Sequence, residues 1–124
     1  MRVNYKPGSQ LDPLRAELLG VWGVGPETAD VILLYAFGRP VFVIDAYTRR
    51  ILERTGTISA ARRLSYDRLQ ATVESGLPAD ASLFNEYHAL LVAHGKAYCA
   101  PDPRCASCPV ARACAYPDAN SRAG

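Results

Sequence analysis

Leu18-Leu19-Gly20-Val21-Trp22-Gly23-Val24-Gly25-Pro26-Glu27-Thr28-Ala29 sets a glycine turn between two runs that each carry helix signals, and its reading decides the fold. Upstream, Asp12 followed by Pro13 is an N-cap with proline at the first helical position. Leu14, Leu18, Leu19 and Trp22 then recur at helical spacing, which predicts a helix from Pro13 through about Val21. Downstream, Pro26 opens a second helix with Ala29, Ile32, Leu33 and Ala36 as its buried face, stopping near Gly38. Gly23-Val24-Gly25 must therefore be a tight turn. Both glycines can take φ > 0 and let a ligand approach the backbone, since no Cβ intervenes, while Val24 plugs into the core and fixes the turn. The N–H groups at the start of the second helix then face outward, where the helix dipole favours an anion. A DNA phosphate suits such a place without any base contact. An ordinary αα-hairpin closed by glycines fits the same residues.

Beyond the hairpin, Arg39-Pro40 breaks the chain and Val41 to Ile44 runs extended. Asp45 caps a third helix, Ala46 to about Thr55, ended by Gly56. Ser65 caps a fourth, Tyr66 to Ser75, and Asp80 or Ser82 begins a fifth that carries Leu83, Phe84, Tyr87, Leu90 and Leu91 on one side and ends at Gly95. A last short helix follows Pro109. One short segment is β-like, so the class is all-α. Trp22, Tyr47 and Tyr87 read as core residues, and His88 and His94 as polar members of the fifth helix.

The chain has 124 residues, 49% of them hydrophobic and 21% charged, which is one domain's worth of material and excludes a disordered tail. Its longest apolar run, Val31 to Phe37, is far shorter than the roughly 20 residues that span a bilayer. Met1 to Gln10 lacks the apolar stretch of a signal peptide, so a cytoplasmic protein is expected. Fourteen Lys and Arg against 12 Asp and Glu leave a net charge of +2, too weak to declare a nucleic-acid binder. The distribution says more: only Lys6 and Lys96 are lysines, and Arg49, Arg50, Arg54, Arg62, Arg63 and Arg68 crowd one stretch. Arginine forks suit phosphates; a solvated helix face explains the same run.

Asp45 stands between an apolar run and a helix start. It could be an N-cap and nothing else, or a carboxylate held in a partly dry place that stabilises cationic charge or orients water. The four cysteines, Cys99, Cys105, Cys108 and Cys114, follow the spacing C-x5-C-x2-C-x5-C. Thiols clustered this way in a chain expected to be cytosolic argue for metal rather than disulfides. Either a [4Fe–4S] cluster or zinc fits four thiolates, and the spacing does not choose between them.

Taken together, these segments resemble the helix-hairpin-helix-Gly-Pro-Asp superfamily of base-excision DNA glycosylases, in its endonuclease III-like branch with an iron–sulfur cluster. The residues that carry the resemblance are Gly23-Val24-Gly25 with Thr28-Ala29, Arg39-Pro40 through Asp45, and Tyr87 to Leu91 leading through His94-Gly95-Lys96 to the cysteines. The wording Glu27-Thr28-Ala29-Asp30 and Ile44-Asp45-Ala46-Tyr47-Thr48-Arg49-Arg50 is most similar to the subgroup that includes 3-methyladenine glycosylases. The resemblance implies that Asp45 is the catalytic aspartate of a DNA N-glycosylase acting on double-stranded DNA. It also implies that Gly23, Val24, Gly25, Glu27 and Thr28 hold a DNA phosphate, with a monovalent cation at the hairpin. Arg104 would contact the DNA backbone, and Cys99, Cys105, Cys108 and Cys114 would ligate [4Fe–4S]. Two departures stand out. Glu27 occupies the position of the lysine that forms a Schiff base in bifunctional members, and a carboxylate cannot make that imine. The first cysteine gap is five residues where the family usually has six. The expected organisation is a lead-in over 1–10, a partial helical domain with the hairpin and Asp45 over 11–80, a helix plus cluster loop over 81–115, and a tail over 116–124. Family members carry several helices ahead of the hairpin, so the chain resembles a C-terminal half. On that reading Leu33, Phe37 and Leu52 are exposed, or re-paired in a homodimer or against a missing N-terminal segment.

Overall fold

The computed structural model describes residues 8–116; positions 1–7, with Lys6 and most of the lead-in, and 117–124 of the tail lie outside the described residues. Among the described residues there are five α-helices and no strand: α1 Pro13–Leu19, α2 Pro26–Phe37, α3 Ala46–Arg54, α4 Tyr66–Ser75 and α5 Ala81–Ala97. Single 3-10 turns form at Gly8–Leu11, Ala61–Arg63, Cys105–Ser107 and Ala111–Ala113. The architecture is all-α, and no described helix is long and apolar enough to cross a membrane.

Local chemistry sets the boundaries. The Asp12 carboxylate accepts from Leu14 N at 3.0 Å to start α1, and Ser65 Oγ accepts from Arg68 N at 3.1 Å to start α4. Helix α2 stops where Gly38 turns left-handed at φ 64°, its N–H returning to the Leu34 carbonyl and that of Arg39 to Leu33. Helix α1 ends two residues earlier than its apolar pattern predicts, because Gly20 closes it. Helix α5 runs on through Gly95 to Ala97. Gly95 is needed there for space: a Cβ would sit 2.3 Å from Tyr47 Cδ1. Its glycine therefore marks a close contact inside the helix and not the stop that the sequence suggests.

The chain divides into two compact units, Met1–Ile44 with Ser65–His88, and Asp45–Leu64 with Ala89–Gly124. In the first, Ala29, Leu33, Leu34, the whole run Val41 to Ile44, Leu69, Val73 and Phe84 are buried. Phe42 meets Phe84 and Tyr87 edge-on at 5.5 and 5.4 Å between ring centroids. In the second, Ile51, Leu52, Ala61, Leu91, Cys105 and Ala111 are buried. Leu33 and Leu52 are thus inside, contrary to the expectation that they face a missing partner, while Phe37 is exposed as expected. Ala36 is exposed too, and the buried face of α2 is Ala29, Asp30, Leu33 and Leu34. Trp22, expected in the core, is 97% exposed, whereas Tyr47 and Tyr87 are half-buried. The short α1 reaches only to Leu19, so Trp22 lies in the turn beyond the helix and has no face to bury.

The extended run Val41 to Ile44 has no neighbouring strand, and α4 supplies its polar partners. Tyr66, Gln70 and Glu74 recur every fourth residue on one face of that helix. Glu74 accepts from Phe42 N at 2.9 Å, Gln70 Nε2 donates to Phe42 O at 3.0 Å, and the Tyr66 hydroxyl accepts from Ile44 N at 3.3 Å. At the centre is Asp30, fully buried. It accepts from Arg15 Nε at 2.7 Å and NH2 at 3.1 Å, from Tyr66 Oη at 2.8 Å and from Gln70 Nε2 at 2.7 Å. A buried carboxylate costs several kcal/mol in lost hydration unless it is paired and hydrogen-bonded, and four donors meet that condition here. Burial and the Asp30 charge push the Tyr66 phenol far above its usual range, so it stays a neutral donor.

Candidate functional site

Three groups of residues singled out in the sequence lie in the structure as follows. The hairpin belongs to the first unit, and Asp45 and the cysteines to the second.

Residues 20–25 join α1 to α2, with Val24 N donating to Val21 O at 3.1 Å. Gly23 has φ 87°, a conformation that favours glycine, but Gly25 is extended at φ −95°; the turn needs only one left-handed residue. A Cβ at either glycine would meet nothing within 4 Å, so the surface above both is open. Gly25 gives α2 no side-chain cap, which leaves the first-turn N–H groups without that internal acceptor. Val24 is half-buried, and Glu27 and Thr28 are exposed in the first turn of α2.

Asp45 caps α3. Its Oδ1 accepts from Thr48 N at 2.8 Å and from Thr48 Oγ1 at 2.9 Å, and Thr48 is fully buried. Two donors on one oxygen fix the carboxylate's plane at the positive end of the helix dipole. Nine residues on, α3 ends at Arg54.

The structure brings the four cysteines together. Cys99, Cys105, Cys108 and Cys114 line one pocket with Arg54, Thr55, His94, Tyr98, Pro103, Val110 and Tyr116. Cys105 and Ala111 are buried, with Cys108, Cys114 and Tyr116 packed on them. Among the described residues, no three His, Cys, Asp or Glu side chains are grouped as ligands of a single metal ion. His94 belongs to this pocket, its Nε2 3.6 Å from Cys108 Sγ, and burial lowers its pKa. His88, by contrast, pairs with the Tyr35 hydroxyl at 2.9 Å. Arg104 is exposed, its N–H donating to Tyr98 O at 2.8 Å and its guanidinium to Ala97 O at 3.4 Å.

The arginine run divides in a way neither sequence reading anticipates. Arg49 donates to the carbonyls of Leu64 and Ala61 at 2.7 and 3.3 Å. Arg50 and Arg54, one turn apart on α3, are both buried and both turn to the cysteine loop. Arg50 Nε donates to Cys99 O at 2.7 Å; Arg54 donates to Ala100 O at 2.6 Å, Pro101 O at 2.9 Å and Cys99 Sγ at 3.6 Å. Their i, i+4 spacing was a usable signal, since it puts both on one face beside the apolar Ile51. The partner, a loop 45 residues downstream, left no local trace.

No family model matches the chain. It is 48% identical over 101 residues to a protein of Methanocaldococcus jannaschii named as a candidate DNA repair glycosylase, covering 82% of this chain and 45% of that protein. It is 33% identical to endonuclease III of Sulfolobus acidocaldarius over 104 residues, 83% of this chain and 45% of the relative. The same identity holds to endonuclease III of Escherichia coli over 103 residues, 82% of this chain and 46% of the relative. A solved structure of a non-covalent endonuclease III–DNA complex superposes with a TM-score of 0.74 at 27% identity, over 88% of this chain and 49% of that one. The chain thus spans about half the length of the relatives it matches.

Proposed function

Because this chain belongs to the endonuclease III-like branch of the helix-hairpin-helix-Gly-Pro-Asp superfamily, we propose that it carries the DNA-holding and base-releasing residues of a monofunctional DNA N-glycosylase. The observation that carries this reading is Asp45, a carboxylate fixed by Thr48 at the start of α3. As the N-glycosidic bond of a damaged or mismatched base breaks, its electron pair leaves with the base, and positive charge develops on the sugar. A fixed carboxylate stabilises that charge without reorganising. It then takes the proton of the water whose oxygen bonds to the anomeric carbon. The hairpin, open above Gly23 and Gly25, offers N–H groups to a phosphate of double-stranded DNA. Arg104 is exposed and able to reach the backbone. Glu27 argues against strand cleavage, since a carboxylate cannot form the imine that lyase chemistry requires.

The four thiols line one pocket and fit a [4Fe–4S] cluster, which the resemblance to the iron–sulfur branch favours over zinc. Bound by Cys99, Cys105, Cys108 and Cys114, the cluster would supply cross-linking of the loop and a redox-active centre. Asp45 stands at the other end of α3, which at 1.5 Å per residue is roughly 14 Å long, so base release does not call on it.

The test is incubation of anaerobically purified protein with duplexes carrying 3-methyladenine or a T·G mismatch, followed by alkali. Alkali-dependent cleavage that Asp45→Asn abolishes, with DNA binding retained, is the expected result. Cleavage without alkali would contradict the monofunctional assignment. A second reading is favoured by one observation, the coverage of about half of each relative: a DNA-binding fragment without chemistry. Salt-sensitive, sequence-independent binding without product would establish it instead.

A further inference from the structure

The geometry points to Arg54 as the residue that positions the first cysteine and donates an N–H···S hydrogen bond to the cluster, an inference that rests on the cluster reading above. One guanidinium grips three consecutive residues of the short first loop: Cys99 at Sγ, Ala100 and Pro101 at their carbonyls, at 3.6, 2.6 and 2.9 Å. Arg50 adds a bond to Cys99 O at 2.7 Å. The guanidinium reaches them from two nitrogens held in one rigid plane. An ammonium also has three donors, but all on one atom at the end of a flexible stem, and does not reproduce that spread. The fork is itself held from behind by the Tyr116 ring, 4.7 Å from ring centroid to guanidinium carbon. Arg54's own carbonyl lies 3.2 Å from Cys114 Sγ, so one residue touches the first and the last cysteine of the run.

Charge adds a second argument. Arg54 is 8% exposed, and among the described residues its guanidinium meets two carbonyls, a sulfur and the Tyr116 ring. A buried cation is costly without an anion. Ligated thiolates are that anion, and the hydrogen bond to Cys99 Sγ favours the more negative, reduced cluster, which raises its potential. The loop has one residue fewer than the family usually carries, and Arg54 ties down its first three residues.

The test compares the anaerobically purified wild type with Arg54→Lys and Arg54→Gln. Three quantities are read: iron and acid-labile sulfide per chain, the rate of iron release to a ferrous chelator, and the reduction potential by voltammetry. Arg54→Lys is expected to keep its iron, release it about 10–100-fold faster and show a lower potential. Arg54→Gln is expected to lose most of its iron. Both variants matching the wild type in all three readouts would overturn the inference while leaving the cluster reading intact. If Arg54→Gln fails to fold by circular dichroism, Arg54→Lys decides alone. A wild type that takes up no iron after reconstitution overturns the cluster reading and this inference with it.

Discussion

Arg15 and Arg54 are both buried arginines, one in each unit, and they are satisfied by opposite means. Arg15 forks onto a buried carboxylate, Asp30, which also takes bonds from Tyr66 and Gln70. Burial alone would lower the Arg15 pKa, but Asp30, together with Asp67 and Tyr66, offsets it and leaves it raised. The charge is closed within the chain. Arg54 meets carbonyls and a thiol, and on the proposal above its charge is balanced when the thiols become thiolates around a bound group. The difference separates a buried cation that builds the fold from one that builds a site. It also gives a criterion that can be broken: the first should matter equally with and without metal, the second only with it.

The largest expected effect is at the closed pair. Arg15→Met leaves Asp30 as an uncompensated buried charge and should lower unfolding stability by about 3–5 kcal/mol. Urea titrations of the iron-loaded and chelator-treated protein should give the same decrement. Neutralising both partners, Arg15→Met with Asp30→Asn, should recover part of it, since the amide carries no charge, matches the carboxylate in size and keeps an acceptor for Tyr66 and Gln70. A decrement that appears only in the loaded protein would erase the contrast with Arg54.

How far this contrast could be read from the sequence depended on whether the partners were local. The caps Asp12, Asp45 and Ser65, the turn at Gly23 and the extended run Val41 to Ile44 all announce themselves within four residues. The cysteines do so by spacing, and the structure gathers them into one pocket. Asp30 could not be read, because Arg15, Tyr66 and Gln70 lie 15, 36 and 40 residues away and a lone Asp on a helix ordinarily faces water. The same distance hid the role of Arg54 and made Gly95 look like a helix end. Trp22 failed for another reason: its helical spacing was real, but Gly20 ended the helix before reaching it.

Gly95→Ala probes the second unit without touching a charge. The new methyl would sit 2.3 Å from Tyr47 Cδ1, so the ring must move or α5 must shift. Overpacking of this kind costs about 1–3 kcal/mol. Tyr47 also lies under Arg50, 5.3 Å from ring centroid to guanidinium carbon, and Arg50 holds Cys99 O. Faster iron release in Gly95→Ala is therefore expected alongside the lower melting temperature. Unchanged release with lowered stability would confine the arginine effect to Arg54.

An effect no larger than that of Gly95→Ala is expected at Tyr66, where the closed network meets the extended run. Tyr66→Phe removes one of the four donors to Asp30 and the acceptor of Ile44 N, and keeps the ring. Asp30 retains Arg15 and Gln70, so its charge stays paired. The loss should be near that of a buried hydrogen bond with an unsatisfied partner, about 1–3 kcal/mol and below that of Arg15→Met. Hydrogen exchange locates it: the Ile44 amide should exchange faster, whereas Phe42 N, bonded to Glu74, should keep its protection. If both amides lose protection together, Tyr66 is not one bond among several but the support of the whole run. Asp30 would then be holding the backbone through Tyr66 alone, and Gln70 would have to be reassigned as a space-filling contact.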